Sequence, residues 1–279
     1  ETTVSKLAES DYPDFEIIVV DNGADEATRA AIDRLPEGVR VLRSGHNLGF
    51  AGGNNLALDQ ARGEVVVLLN DDTGVRPDWM RNLIAPLVAS EQVGMTGSLI
   101  LEPDGKTIQH LGSELLTNAL NQHLGKGKAL AEAPVEPVER DYVMGAAVAM
   151  RRELLIELGG VPDCYYPGYY EDIELCHRLR RRGLKIVVIP SAVLIHQEKQ
   201  TVKTENTYLG IYHRNRWLFM LRNFSGQDIL RALFFELRWM WNITRWKDWR
   251  HHGPVIRAWA WNMVHLPLTL IQRRRLHRR

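Results

Sequence analysis

EVVVLLNDDT, residues 64–73, is the stretch whose reading decides the fold. Its run of valines and leucines is the plainest buried strand in the chain, and it ends on two adjacent carboxylates, Asp71 and Asp72. The segments around it alternate. EIIVVD (16–21) is another β-branched apolar run, closed by Asp-Asn-Gly, and ADEATRAAIDRL (24–35) has helical character. VRVL (39–42) leads into GHNLGFAGGNN (45–55), with a helix-like LALDQA behind it. Pro77 stands where a helix over PDWMRNLIAPLVA should begin. Repeated strand–helix alternation predicts an α/β fold, a mostly parallel sheet flanked by helices on both faces. Such sheets bind ligands at the carboxyl ends of their strands, where Asp21, the Gly-rich loop and Asp71-Asp72 all fall.

The order strand, Gly-rich turn, helix suits a phosphate cradle. With Asp71-Asp72 about 20 residues further on, it approaches a dinucleotide-binding fingerprint. Asn47 stands where that fingerprint needs glycine, so a nicotinamide-dependent oxidoreductase is the weaker reading. From about 97 to 140 the texture changes to turn signals and short apolar pieces, predicting a hairpin or two and a mobile surface loop. Order returns with a strand-like YVMGAAVAM (142–150), the helix RRELLIEL and a Gly159-Gly160 stop. GYYEDIELCHRLRRRG (168–183) carries its acids in the first turn and its arginines in the last, matching the helix dipole. KIVVIP and SAVLIH read as two further strands, the second ending on His196.

The 279 residues are 45% hydrophobic, enough for a substantial core. Cys164 and Cys176 give no disulfide framework and no zinc spacing, which suits a reducing compartment. No signal peptide is visible at the start of the sequence. The net charge of +1 conceals a division: residues 208–279 hold 14 Lys/Arg against 3 Asp/Glu and seven of the eight tryptophans. This C-terminal part reads as helical throughout. Its last apolar run, 255–272, is interrupted by Arg257, Asn262, His265 and Pro267. An arginine or lysine near a bilayer centre costs roughly 2.5–3.5 kcal/mol, so the region is expected to lie in a membrane interface and not to span it. The division predicts an N-terminal α/β domain over 1–207 and a basic, Trp-rich helical region over 208–279 suited to an anionic membrane surface. No nucleic-acid partner is expected.

Taken singly, each polar cluster has two readings. Asp71-Asp72 suits a divalent ion held against a pyrophosphate, or a solvated turn. Asp21-Asn22-Gly23 suits a contact to a base or ribose, or a bare turn. Glu171 and Asp172 open a helix, as caps do, yet a carboxylate stabilised there can act as a general base. His196 is a structural histidine or a metal ligand.

Their joint order resembles the family 2 inverting glycosyltransferases of the GT-A fold, most closely the rhamnosyltransferase-like members. The pieces that carry the resemblance, across roughly 5–225, are DYPDFEIIVVDNGAD, NLGFAGGNN, VVVLLNDDT, YVMGAAVAMRRELL, GYYEDIELCHRLRRRG and PSAVLIHQ. The resemblance implies a nucleoside-diphosphate sugar donor, dTDP- or UDP-linked, and a glycan or lipid-linked acceptor. It implies Mg²⁺ or Mn²⁺ as cofactor and a place on the cytoplasmic face of the cell membrane. Asp21, Asn47, Gly49, Asn54, Asn55 and Asp71 would line the nucleotide-sugar pocket, and Asp72 and His196 would hold the metal. Asp172 would be the catalytic base, with Glu171, Gly145 and Ala146 on the acceptor side. In the family a first strand of the type VSVVIVTYN precedes the segment with which this sequence opens, so the 1–207 domain is expected to lack it. Asn70 stands in place of the first acid of the family's Asp-X-Asp motif, and HQEKQT departs from the family's run after the histidine. A non-catalytic, membrane-surface nucleotide-sugar binding protein is the alternative.

Overall fold

The computed structural model describes residues 2–197, 205–245 and 252–276. Trp246, Trp249 and the EKQT run after Gln197 lie outside the described residues. The chain divides into two compact units, residues 1–114 with 123–199, and residues 115–122 with 200–279.

The first unit opens with α1 (Thr2–Ala8), β1 (Ile17–Asn22), α2 (Glu26–Ile32), β2 (Val39–Ser44), α3 (Gly49–Leu58), β3 (Val65–Leu69), β4 (Thr73–Val75) and α4 (Trp79–Ala89). There follow β5 (Val93–Leu101), β6 (Ile108–His110), β9 (Val138–Arg140), β10 (Ala147–Arg151), α5 (Arg152–Glu157), α6 (Glu171–Arg181) and β11 (Lys185–His196), while β7 (Ser113–Leu115) and β8 (Asn121–His123) fall where the chain passes between the units. β1 and β2 pair in parallel as a sheet of their own. The main sheet runs β3-β10-β5-β11-β4, with β6 on β5 and β9 on β11. The α/β expectation holds, but the main sheet is mixed and not mostly parallel. β10 lies antiparallel to β3 and β5, β4 antiparallel to β11, and only β5 with β11 is parallel among its pairs.

β5 is the central strand, buried along its whole length, and sequence analysis missed it. VGMTGSLIL carries glycine, threonine and serine, which mask an apolar run. The polar members have partners: Thr96 Oγ1 donates to Leu83 O at 2.7 Å, and Trp79 Nε1 donates to Ser98 Oγ at 2.9 Å. Both bonds tie the sheet to α4, and buried polar groups are tolerated when paired in this way. Between α4 and the sheet lies a core of Trp79, Leu83, Leu87, Ile100, Ala147, Ala149, Ile189 and Leu194. Burying each large side chain contributes roughly 1.5–3 kcal/mol. On the next pleat positions, Met95 faces Cys176 of α6, and a Cβ at Gly97 would come within 2.5 Å of Val143.

Three further expectations change. β1 and β3 are only half-buried, apart from Asp21 and Leu68, because each has a paired neighbour on one side alone among the described residues. KIVVIP and SAVLIH form one strand, β11; its pairing with β5 shifts register between Ile189 and Val193, which accommodates Pro190 where no ladder donor is needed. Residues 142–146 precede β10 as a loop instead of opening the strand.

The second unit holds α7 (Glu205–Asn223), α8 (Gly226–Arg245) and α9 (His252–Leu276). Arg216 of α7 and Glu236 of α8 are buried as an ion pair, and Asn262 of α9 donates to Arg214 O of α7 at 3.0 Å. Trp217 and Trp259 meet edge to face, with centroids 6.1 Å apart. Large apolar side chains remain outward, among them Leu230, Phe234 and Trp241 on α8 and Met263, Val264 and Leu268 on α9. No helix among the described residues is long and apolar enough to cross a membrane.

Candidate active site

The Gly-rich stretch is a short loop followed by a helix, not a loop throughout. α3 begins at Gly49, so Gly52 and Gly53 are helical. Glycine within a helix costs about 1 kcal/mol against alanine. Close packing overrides that preference: a Cβ on Gly53 would sit 3.2 Å from Asn22 Nδ2, and one on Gly52 2.8 Å from Leu48 Cβ. Gly49 has φ +74°, and a Cβ there would lie 2.7 Å from Pro167 O. Asn47 Oδ1 accepts from Gly49 N at 2.7 Å, closing the turn.

Asn22, which sequence analysis passed over as part of a turn, organises this loop. It accepts from Leu48 N at 2.7 Å and donates to Gly49 O at 3.0 Å. Asn54 donates back to Phe50 O within α3. Asn55 points elsewhere: it accepts from Val161 N and donates to Val161 O, both at 2.8 Å. Its amide clamps α3 to the segment after α5 and has the geometry of a structural tie. Asp21 is buried, accepts from Ala24 N at 2.9 Å, and lies 3.3 Å from Arg43 and 3.5 Å from Arg29.

Asp71 and Asp72 occupy the turn between β3 and β4, and they point apart. Asp71 is exposed. Asp72 turns inward, its Oδ1 3.2 Å from His196 Nε2 at the end of β11. The backbone of the turn is tied down by Thr3 of α1, whose hydroxyl is 2.6 Å from Asp71 O and 2.8 Å from Thr73 O. His196 is held from behind. Gln109 of β6 donates through Nε2 to Glu102 Oε2 at 3.1 Å, so its Oε1 faces His196 Nδ1 at 2.8 Å. Nδ1 must then carry the proton. In a neutral ring Nε2 presents its lone pair toward the Asp72 carboxylate. A histidine nitrogen and a carboxylate oxygen 3.2 Å apart, with a carboxamide and a carboxylate fixing the histidine from behind, are ligand types that suit a divalent cation. No cluster of three His, Cys, Asp or Glu side chains poised for a metal exists among the described residues. These two atoms would therefore leave most of a cation's coordination sphere to other ligands.

Glu171 and Asp172 open α6 behind two tyrosines in left-handed backbone, Tyr169 at φ 73° and Tyr170 at φ 82°. Each such residue costs on the order of 1–3 kcal/mol and persists only where its surroundings enforce it. Here Tyr170 is buried in the core, and the 166–168 segment packs on α3, with Phe50 N donating to Pro167 O at 2.8 Å. Asp172 keeps part of its surface open. Its Oδ2 accepts from Tyr142 Oη and from Gly145 N, both at 2.9 Å, and its Oδ1 from Ile173 N at 2.8 Å. Burial raises its pKa against these donors, which pull it down. Glu171 is buried at the edge of a closed crevice lined by Gly49, Ala51, Tyr166 and Gly168, and its Oε2 has no hydrogen-bond partner. Burial, and then the Asp172 charge, push Glu171 up to about 8. Near neutral pH the pair therefore keeps a proton on Glu171, while the hydrogen-bond donors favour charge on Asp172. Ionisation of Asp172 depends on these donors as well as on the helix N-terminus that the sequence suggested.

The two clusters are joined. Asn70, one residue before the Asp pair, donates to Ala146 O at 2.9 Å, beside the Gly145 amide that holds Asp172. β6 serves both sides: Gln109 holds His196, and His110 Nε2 accepts from Met144 N at 3.1 Å. Burial lowers the His110 pKa to about 3, keeping it a neutral acceptor. Tyr142, Gln109, Glu102 and His110 were all missed in sequence analysis. They lie in short or irregular segments with no periodicity, and only long-range packing gives them partners.

Comparison with known proteins bears on the family and the fold. A family model described as "Glycosyl transferase family 2" matches residues 1–159. The protein y4gI of Sinorhizobium fredii is 33% identical over 216 residues, which is 74% of this chain but only 24% of that protein. The N-acetylglucosaminyl-diphospho-decaprenol L-rhamnosyltransferase of Mycobacterium tuberculosis is 28% identical over 235 residues, covering 75% of this chain and 76% of that enzyme. Among solved structures, GalNAc-T7 with UDP, GalNAc and Mn²⁺ superposes with a TM-score of 0.62 at 18% identity, over 79% of this chain and 44% of the other. That likeness places the first unit among GT-A folds.

Proposed function

The chain belongs to glycosyl transferase family 2, and from that premise we propose that it transfers a hexosyl group, such as rhamnose, with inversion, from a nucleoside-diphosphate sugar to a hydroxyl of a glycan or lipid-linked acceptor. The observation that carries this reading is the pairing of two differently built sites in one unit. A cation-suited pair, Asp72 with His196, is linked through Asn70–Ala146 to a hydrogen-bonded base, Asp172.

Asp172 takes the proton from the acceptor hydroxyl, which attacks the anomeric carbon as the bond to the diphosphate breaks. Tyr142 and Gly145 fix the carboxylate's orientation, and protonated Glu171 leaves the negative charge on its neighbour. Asp72 Oδ1 and His196 Nε2 would hold Mg²⁺ or Mn²⁺, which supplies Lewis-acid stabilisation of charge on the departing diphosphate. The Mn²⁺ and UDP of GalNAc-T7, and the diphospho-decaprenol acceptor named for the mycobacterial relative, support this choice of cofactor, donor class and acceptor class. The loop 47–49 that Asn22 organises would face the nucleotide, with Asp21, Asn54 and Asp71 nearby. Gly145 and Ala146 would floor the acceptor side. The basic helices with outward tryptophan and aliphatic side chains would rest on the cytoplasmic membrane face.

The test is sugar transfer from a panel of dTDP- and UDP-sugars, with nucleoside diphosphate release as readout. Asp172→Asn should lower transfer by about 10²–10⁴-fold while Mn²⁺ binding is unchanged. Near wild-type transfer in that variant would remove Asp172 as the base.

A further inference from the structure

The second unit contains a cleft of about 320 Å³ between α7 and α9, lined by Asn206, Thr207, Ile211, Arg214, Arg257 and Trp261. We infer that it is a phosphate-ester site, in which Arg214, backed by the Trp261 ring, and Arg257 grip the phosphate.

Among the described residues, the lining has two guanidinium groups, two small polar side chains and no carboxylate. Guanidinium forks match phosphate oxygens in pairs, so this is a donor set for an anion of that shape. The half-buried Arg214 guanidinium lies over the Trp261 ring, 5.1 Å from its centroid, and Trp261 also stacks on His265 at 3.9 Å. Arg214 is thus held in place by an aromatic face before any ligand arrives, which lowers the ordering cost of binding. Gly210 also lines the cleft, and a Cβ at that position would meet nothing within 4 Å. A glycine in the middle of a 19-residue helix is unfavourable for that helix. Its lack of a side chain keeps this wall of the cleft open. Outward apolar side chains on α8 and α9 place the cleft in a unit suited to a bilayer surface.

Two sources supply such a ligand near a membrane: the headgroup of an anionic phospholipid, or the diphosphate of a polyprenyl-linked sugar. Only the choice between them rests on the membrane-facing reading above. Phosphate binding itself is tested in its absence.

Full-length protein is titrated calorimetrically with inorganic pyrophosphate. It is also sedimented with phosphatidylcholine vesicles carrying either phosphatidylglycerol or a polyprenyl diphosphate. Three variants are compared: Arg214→Gln with Arg257→Gln, Gly210→Leu, which fills the cleft without changing charge, and Arg274→Gln with Arg275→Gln, an equal charge loss at exposed positions outside it. The first two should weaken pyrophosphate binding about tenfold or more, and the third less than about twofold. Equal losses from both arginine pairs, or unchanged binding in Gly210→Leu, would overturn the site. A loss confined to polyprenyl-diphosphate vesicles identifies the lipid-linked sugar, and a loss with phosphatidylglycerol identifies the phospholipid. Pyrophosphate binding without any vesicle binding retains the site and rejects the membrane-facing reading. Circular dichroism on each variant separates loss of binding from loss of fold.

Discussion

Tyr142 carries the clearest prediction of single-residue chemistry. Burial, with the neighbouring Asp172 charge, holds its phenol pKa well above the usual value, so it remains a donor at every working pH. Its bond to Asp172 lowers the carboxyl pKa against the burial that raises it. Tyr142→Phe removes the lowering contribution, so the Asp172 pKa rises. A base is lost to protonation as pH falls through its pKa, so the acidic limb of the kcat profile should move to higher pH. An unmoved limb with a lower plateau would mean that Tyr142 acts only in packing. Asp72, Asp172 and His196 were marked as candidates in the sequence by their joint order at strand and helix ends, since each taken singly has an ordinary structural reading. Tyr142 and Gln109 were not, because nothing local distinguishes them from ordinary loop and strand residues.

α3 shows how an element can be right in kind and wrong in extent. GHNLGFAGGNN looks like a flexible loop since glycine disfavours helix. The helix nevertheless begins at Gly49, where Pro167 approaches too closely for a side chain, and runs through Gly52 and Gly53, packed against Leu48 and Asn22. Asn55, expected to face a nucleotide sugar, donates to and accepts from the Val161 backbone across 106 residues. Asn55→Ala should therefore destabilise the fold by about 2–3 kcal/mol, by leaving a backbone N–H and C=O without partners. Chemical denaturation measures the loss. A large rise in KM for the donor with unchanged stability would restore the nucleotide-binding role. β5 errs in the opposite direction: an element at the centre of the sheet was illegible because its threonine, serine and glycines are matched to α4 and Val143, not to a pattern along the strand.

For the whole molecule, the asymmetry of charge is the feature with the widest consequence. The basic helical unit should bind vesicles containing phosphatidylglycerol, and the binding should weaken as salt shortens the Debye length from about 30 Å at 0.01 M toward about 10 Å at 0.1 M. The exposed apolar side chains of α8 and α9 should leave a residual, salt-resistant fraction. Sedimentation across a salt series measures both, and binding indifferent to salt would remove the electrostatic part. By itself the sequence determined the alternating α/β organisation, the charge-ordered helix at 171–181, the helical C-terminal part and the identity of the candidate acid, base and histidine. Apolar runs, helix dipoles and turn chemistry act over a few residues and leave local marks. Tertiary structure alone decided the mixed sheet order, the central place of β5, the outward Asp71 and inward Asp72, the structural role of Asn55, and the Gln109 and Tyr142 contacts that aim His196 and Asp172. Their side-chain contacts join partners from 30 residues apart (Tyr142 with Asp172) to 124 apart (Asp72 with His196), brought together only when the core packs.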